Sequence, residues 1–238
     1  ALSRFMVAQF RTDRVEETAT TFNKGKEFYS ALPPKMKNKN LLAFIASLTS
    51  NYISSELILL KPEKALAAWE SIKRAIIHST LNANSNIVIF GNLFYANFLS
   101  GNFRESLRYA NKILGFKSGN RNDVQKETRL ILLLAHFELG HYEHLQGLAG
   151  SSLRWILKND LLHAVEETLL NFFRNCICKA DSAESSIQAF KQLKQDIISL
   201  LKRSGKPAFI EHFDLIAWID SRIQDRPFID ILRKKVAK

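Results

Sequence analysis

The sequence has few of the residues that interrupt regular structure. Only 9 of its 238 residues are glycine and 5 are proline. A β-rich chain needs a turn about every 8–12 residues and makes many of them with these two residues. Their shortage therefore favours an all-α fold. Apolar residues make up 46% and charged residues 24% of the chain, as in globular proteins that bury a hydrophobic core.

Long apolar runs are missing as well. No run is longer than Leu130 to Ala135, which is far shorter than the roughly 20 residues that cross a bilayer, so we expect no membrane span and no membrane partner. Residues Ala1–Phe10 lack the succession of basic, apolar and small residues that marks a secretory signal. The chain opens with Ala rather than Met, and we expect a single domain over 1–238 that is a fragment of a longer chain or a processed product.

Cysteine is scarce. The two cysteines, Cys176 and Cys178, are two residues apart within a helical pattern. Residues at this spacing point to different sides of a helix, which argues against a disulfide between them. A redox or metal pair would have two intervening residues and a loop. Two free thiols are typical of a reducing compartment, so we expect a cytoplasmic protein.

No motif of known catalytic or cofactor chemistry is present. The patterns GxSxG, GxxxxGK[ST] and GxGxxG are all absent from the sequence. Histidines at 136, 141 and 144 lack a carboxylate at metal-binding spacing, and we interpret them as solvated or capping residues. Glu166, Glu167 and Asp220 have no neighbours that indicate acid–base catalysis. We predict a protein that is not an enzyme and holds no metal and no cofactor.

Hydrophobic periodicity is helical along nearly the whole chain. Residues 87–99 read IVIFGNLFYANFL and are almost wholly apolar, which indicates an inner helix covered on several sides. Residues 103–114 have one apolar stripe, which indicates an outer helix with a polar back. The stripe consists of Phe103, Leu107, Ala110, Ile113 and Leu114.

The breaks between helices recur at nearly constant spacing. They lie near Leu60, Gly101, Gly140 and Asp181, which are 41, 39 and 41 residues apart, and another follows at 225–227. A period of about 40 residues with two helices per unit is typical of a solenoid of helical hairpins. We predict six antiparallel hairpins, at 1–32, 38–81, 84–118, 122–159, 160–204 and 206–236.

Local signals predict several helix ends. Pro62 fits a first helical turn, where its missing N–H costs nothing. Asp13 with Glu16, and Ser182 with Ser185, have the spacing of N-terminal caps.

One predicted hairpin has a recognisable pattern at Asn92-Leu93, Ala96, Phe98, Gly101-Asn102-Phe103, Glu105-Ser106-Leu107 and Ile113. This pattern resembles the tetratricopeptide repeat (TPR), in which small residues let paired helices approach, an aromatic residue fills the space between hairpins and glycine makes the turn. A weaker copy and two partial copies occur at Leu132, Ala135, Phe137, Gly140-His141-Tyr142 and Leu145, at Ala65, Trp69 and Ile72, and at Ser186, Phe190 and Leu193. The sequence departs from the family in its period, near 40 rather than about 34 residues, and in Asn97 and His136, which replace the usual tyrosine.

The resemblance implies a right-handed, TPR-like α–α superhelix that serves as a protein-interaction scaffold. Its first helices would line a concave face that binds a protein or peptide segment, and Trp69, Ala110 and Phe190 would be buried spacers between hairpins. Another type of hairpin repeat and a non-repeating helical bundle remain alternatives. The residues that the family pattern places toward the concave face are Tyr95, Phe98, Leu99 and Leu134. Two interpretations of Tyr95, Phe98 and Leu99 remain open, the core between hairpins and a peptide-binding groove.

Basic residues outnumber acidic ones, and the formal net charge is +11. Arg104, Arg108 and Lys112 are spaced i, i+4, i+8 and share one helix face. Three interpretations of that face remain open: a solvated surface, a docking site for an acidic protein and a nucleic-acid contact. The alternatives to a protein-binding scaffold are therefore a nucleic-acid-binding helical repeat or sensor arm of a regulator, and a helical enzyme without a local motif.

Overall fold

The computed structural model describes residues 15–77, 83–116, 121–176, 182–205 and 207–237. Within these ranges the chain is all-α, with twelve α-helices, one 3₁₀ turn, one π-helical turn and no strand. The predicted all-α class is therefore confirmed, and the right-handed solenoid of six hairpins stays a prediction. The chain divides into two compact units, Ala1–Arg121 and Asn122–Lys238, called unit 1 and unit 2 below. That the whole chain is a single repeat domain stays a prediction.

Unit 1 consists of helices that pack mainly on their neighbours in sequence. Helix α2 packs on α1 and α3, and α4 packs on α2, α3 and α5. A 3₁₀ turn, Pro34–Met36, connects the first two helices. The bounds are α1 Val15–Ala31, α2 Lys39–Ile58, α3 Pro62–Ile77, α4 Ala83–Leu99 and α5 Phe103–Leu114.

Unit 2 continues the pattern with shorter helices toward its end. Helix α7 packs on α6 and α8, α9 on α8 and α11, and α11 on α12. Helix α8 continues into a π-helical turn at Phe172–Cys176. The bounds are α6 Asn122–Glu138, α7 Tyr142–Lys158, α8 Ala164–Asn171, α9 Ala183–Ser204, α10 Ala208–His212, α11 Leu215–Ile223 and α12 Phe228–Val236.

The last predicted hairpin differs from the structure, because 206–236 contains three short helices instead of two. Phe213 adopts an extended conformation (φ −131°, ψ 118°) that ends α10. The Asp214 carboxylate then accepts a hydrogen bond from the Ala217 N–H (3.0 Å) and caps α11. A carboxylate that satisfies a free N–H of a first turn starts a new helix there.

The turns that close the first three hairpins of the described chain have the same backbone geometry. Leu60, Gly101 and Gly140 have φ values of 54°, 73° and 71°. In each turn, the N–H of the residue that follows donates to the carbonyl five residues before it. This hydrogen bond is typical of the Schellman motif, which satisfies the last carbonyls of a helix. These bonds are Lys61 to Glu56 (2.8 Å), Asn102 to Asn97 (2.9 Å) and His141 to His136 (3.0 Å). The predicted breaks at these three positions are confirmed.

Other predicted helix ends can be compared as well. Helix α3 begins at Pro62, as predicted. Ser182 and Ser185 form a reciprocal capping box at the start of α9, with bonds of 3.0 and 3.1 Å. Asp13, Cys178 and the break at Asp181 lie outside the described residues.

The predicted spacer residues are buried. Trp69, Ala110 and Phe190 are at most 3% exposed, as predicted. The Trp69 indole N–H donates to the Tyr109 hydroxyl at 3.0 Å, which connects α3 to α5. Phe190 lies in an aromatic cluster of unit 2 with ring-centroid distances of 5.1 to 5.7 Å to Phe137, Phe172 and Trp218.

Among the described residues, one helix, α2, is long and apolar enough to cross a bilayer. Half of its most apolar window is buried inside the protein, as expected for a core helix. A single helix of this kind is weak evidence for a membrane span. The absence of a membrane partner and the cytoplasmic location both stay predictions.

Candidate interaction surfaces

Three of the four predicted groove residues belong to the core. Phe98 is 1%, Leu99 2% and Leu134 0% exposed. Phe98 meets Phe103 edge-on, with ring centroids 5.3 Å apart, because α4 is covered by α2, α3 and α5. The prediction that these three side chains contact a partner is wrong, since no surface of theirs remains for a ligand.

Tyr95 is the predicted groove residue that remains half-buried. It lies on a partly open stripe of α4, the residues Asn84, Val88, Gly91 and Tyr95 at i, i+4, i+7 and i+11. A Cβ added at Gly91 would meet no atom within 4 Å. This α4 stripe is therefore a surface that has open space at its centre.

Buried amides and hydroxyls orient α4. The Asn92 amide donates to the Ser50 carbonyl (3.2 Å), the Ser50 hydroxyl (3.1 Å) and the Ser54 hydroxyl (2.9 Å), all on α2. On the other side, the Ser106 hydroxyl of α5 donates to the Phe94 carbonyl at 3.0 Å. These satisfied contacts define the rotation of α4 and leave its stripe at the surface.

Helix α5 presents the predicted basic residues to solvent. Arg104, Arg108 and Lys112 are all exposed, and together they are called the basic row. Arg108 pairs with Glu105 one turn away, at 3.2 Å between Nη1 and Oε2. Both partners of this pair are exposed, so it contributes little to stability.

Lys112 is held in place by aromatic rings. Its ammonium lies 5.0 Å from the centroid of Phe90 and 5.3 Å from that of Tyr109, within the range of cation–π attraction. Burial lowers the pKa of Lys112, and the nearby Arg108 lowers it further. Burial raises the pKa of Tyr109, whose hydroxyl accepts from Trp69.

The positive charge of the protein is concentrated in unit 1. Residues 1–121 contain 17 Lys and Arg against 8 Asp and Glu, a surplus of nine. Residues 122–238 contain 17 against 15, a surplus of two. The electrostatic attraction for an acidic partner therefore comes mainly from unit 1.

The carboxylates considered for catalysis lie in unit 2 and differ in their partners and burial. Glu166 is buried and accepts from the Lys126 ammonium at 2.9 Å, which also donates to the Leu161 carbonyl at 3.3 Å. Asp220 pairs with Lys194, and Glu167 is exposed. None of these contacts indicates a group that holds or moves a proton for a substrate.

The three histidines lie near the α6–α7 turn. Nδ1 of His136 is 3.0 Å from Nδ1 of His141, and the rings of His141 and His144 are 6.4 Å apart. Burial lowers the pKa of His136, and the neighbouring histidines lower it further. Over the described residues, no group of three or more His, Cys, Asp or Glu side chains is arranged to hold a metal ion.

Sequence reasoning missed a charged cluster of unit 2. The Glu138 carboxylate accepts from the Trp218 indole N–H at 2.8 Å and from the Arg222 guanidinium at 2.7 Å. Burial raises the pKa of Glu138, although both partners act in the opposite direction. More than 80 residues separate Glu138 from Arg222, so no local pattern could have paired them.

The chain matches no family model, no curated protein and no solved structure. The resemblance to the tetratricopeptide repeat therefore stays a prediction. With no relative to indicate a ligand, function has to be inferred from the residues and contacts of the chain itself.

Proposed function

We propose that this chain is a non-catalytic helical scaffold that binds a protein or peptide segment along the α4 stripe. The observation that carries the proposal is a half-buried line of residues on α4. Much of the helix is apolar and buried, yet Val88, Gly91 and Tyr95 keep part of their surface exposed, and a Cβ at Gly91 would meet no atom within 4 Å. A glycine at the centre lets a bound backbone come close, and a half-buried tyrosine adds ring surface.

The architecture we propose for the scaffold is a right-handed, TPR-like solenoid. Its support is a set of side-chain contacts that join residues about one period apart. Asn92 of α4 reaches Ser50 of α2 over 42 residues, Trp69 of α3 reaches Tyr109 of α5 over 40, and Lys126 of α6 reaches Glu166 of α8 over 40. Contacts between like helices of successive hairpins are expected when hairpins stack in one direction.

The test blocks the stripe without disturbing the core. Because a Cβ at Gly91 meets no atom, Gly91→Gln places a large neutral side chain on the stripe. Glutamine is also a better helix former than glycine, by roughly 0.5–1 kcal/mol. Wild-type and variant full-length chains are used to select from a displayed library of random peptides, and the enriched sequences are compared.

Gly147→Gln is the matched control. Gly147 lies on α7, is exposed, and a Cβ there also meets no atom within 4 Å. We expect the wild type and Gly147→Gln to enrich the same peptides and Gly91→Gln to lose them. Equal enrichment by all three proteins, or no enrichment by the wild type, would contradict the proposal.

A further inference from the structure

The basic row has a regular geometry. Residues four apart on an α-helix are separated by about 6 Å along its axis, so Arg104, Arg108 and Lys112 place three positive charges over about 12 Å. All three are exposed. Alternate residues of an extended peptide are separated by about 6.6 Å and point to the same side. An extended segment with carboxylates on alternate residues therefore matches this spacing.

Two of the three cations already have partners in unit 1. Arg108 pairs with the exposed Glu105, and the ammonium of Lys112 lies over the rings of Phe90 and Tyr109. Arg104 is exposed and makes no hydrogen bond or ion pair with the described residues. Its guanidinium is therefore available for a carboxylate.

The same contacts favour an acidic peptide over a nucleic acid. A single-stranded nucleic acid is bound largely by stacking its bases on open aromatic faces. Here the ammonium of Lys112 already lies over Phe90 and Tyr109. Glu105 is exposed within the row and would repel a continuous line of phosphates, whereas a peptide can place a neutral residue opposite it.

We infer that the basic row of α5 is a second interaction surface, which binds an extended acidic peptide segment with carboxylates on alternate residues. It is a different surface from the α4 stripe and does not depend on it. The surplus of positive charge in unit 1 accelerates the encounter, and the spacing of the row selects the ligand.

The test uses a fluorescent 12-residue peptide that contains four Glu residues separated by single Ser residues. The control peptide has the same composition, but two Ser residues separate each Glu, so the carboxylate spacing rises to about 10 Å. A 12-nucleotide single-stranded DNA is the third probe. Binding to the full chain is measured by fluorescence anisotropy at low salt and at about 150 mM salt, where charges beyond roughly 8 Å are screened.

The test variant carries two substitutions, Arg104→Glu and Arg108→Glu. Its matched control carries Lys39→Glu and Lys64→Glu. Lys39 and Lys64 are exposed residues of unit 1, and both double variants change the net charge equally. We expect the first pair to weaken binding of the alternating peptide at least tenfold and the second less than threefold. Arg104→Gln with Arg108→Gln repeats the test with a milder change, and circular dichroism verifies the helix content of each variant.

Three results would overturn the inference. They are an equal loss in both charge-reversal variants, equal binding of the two peptides, and tighter binding of the DNA than of the alternating peptide. The Gly91→Gln variant should bind the alternating peptide as the wild type does. Failure of this inference is therefore distinguishable from failure of the scaffold proposal.

Discussion

Units 1 and 2 contain the same number of basic residues but use them differently. In unit 2 they pair with distant acids: Lys126 with Glu166, Lys194 with Asp220 and Arg222 with Glu138. In unit 1 the pairs Lys73–Glu70 and Arg108–Glu105 each connect residues one helical turn apart. The long-range polar contacts described for unit 1 include neutral ones, those of Asn92 with Ser50 and of Trp69 with Tyr109.

This difference bears on function. A cation that pairs with a buried acid contributes to the fold and is not available to a partner. Unit 1 has few acids to pair with its 17 basic residues, and none of its basic residues whose burial the structure describes is buried, those of the basic row included. The comparison predicts that charge removal affects stability in unit 2 and binding in unit 1.

The largest expected effect is the loss of the buried pair in unit 2. The side chains of Lys126 and Glu166 are 6% and 0% exposed, and Oε2 of Glu166 has no hydrogen-bond partner. Lys126→Met leaves the carboxylate buried without its cation and should reduce the free energy of unfolding by about 3–5 kcal/mol. Urea denaturation followed by circular dichroism measures the loss, and amide hydrogen exchange locates it in unit 2.

The double variant Lys126→Met with Glu166→Leu provides the control. Replacing a whole buried ion pair by apolar residues is often nearly neutral, so the double variant should recover most of the stability that Lys126→Met loses. If the single variant is as stable as the wild type, the pair does not stabilise unit 2 and the contrast between the units is wrong.

The parts of the fold that could be predicted are those that local chemistry controls. Gly101 and Gly140 end helices because glycine tolerates positive φ. Ser182 caps α9 through Ser185, three residues away. Trp69 is buried, as the resemblance to the tetratricopeptide repeat implied from its spacer position.

The parts that could not be predicted depend on which helices surround a residue. Phe98 and Leu134 were correctly recognised as apolar, but their sequence does not reveal how many helices cover them. The pairing of Glu138 with Arg222 depends on distant segments. The open centre of the α4 stripe at Gly91 could be identified only once the neighbours of that glycine were placed.

The stability of unit 2 is expected to depend on pH. His136 is a half-buried residue of unit 2, and burial together with His141 lowers its pKa below the ordinary value of about 6.5. The unfolded chain therefore binds this proton at higher pH than the folded chain does. The stability contributed by neutral His136 is complete above about pH 6.5 and is lost as the pH falls toward the lowered pKa.

His136→Asn tests this pH dependence, because asparagine can hydrogen-bond to His141 but does not titrate. The free energy of unfolding of the wild type should fall more between pH 7 and pH 5 than that of the variant. Parallel curves for the two proteins would show that His136 does not contribute to the acid sensitivity of unit 2.

The smallest effect is expected for Lys73→Met, which is the counterpart in unit 1 of Lys126→Met. Lys73 and Glu70 form an ion pair one turn apart on α3, with side chains 37% and 60% exposed. Water and salt screen such a pair, and holding two long side chains together costs entropy, so Lys73→Met should change the free energy of unfolding by less than about 0.5 kcal/mol. The same urea denaturation measures both variants. A loss at Lys73 as large as that at Lys126 would show that unit 1 also depends on its ion pairs, and its surface cations could then no longer be assigned to binding alone.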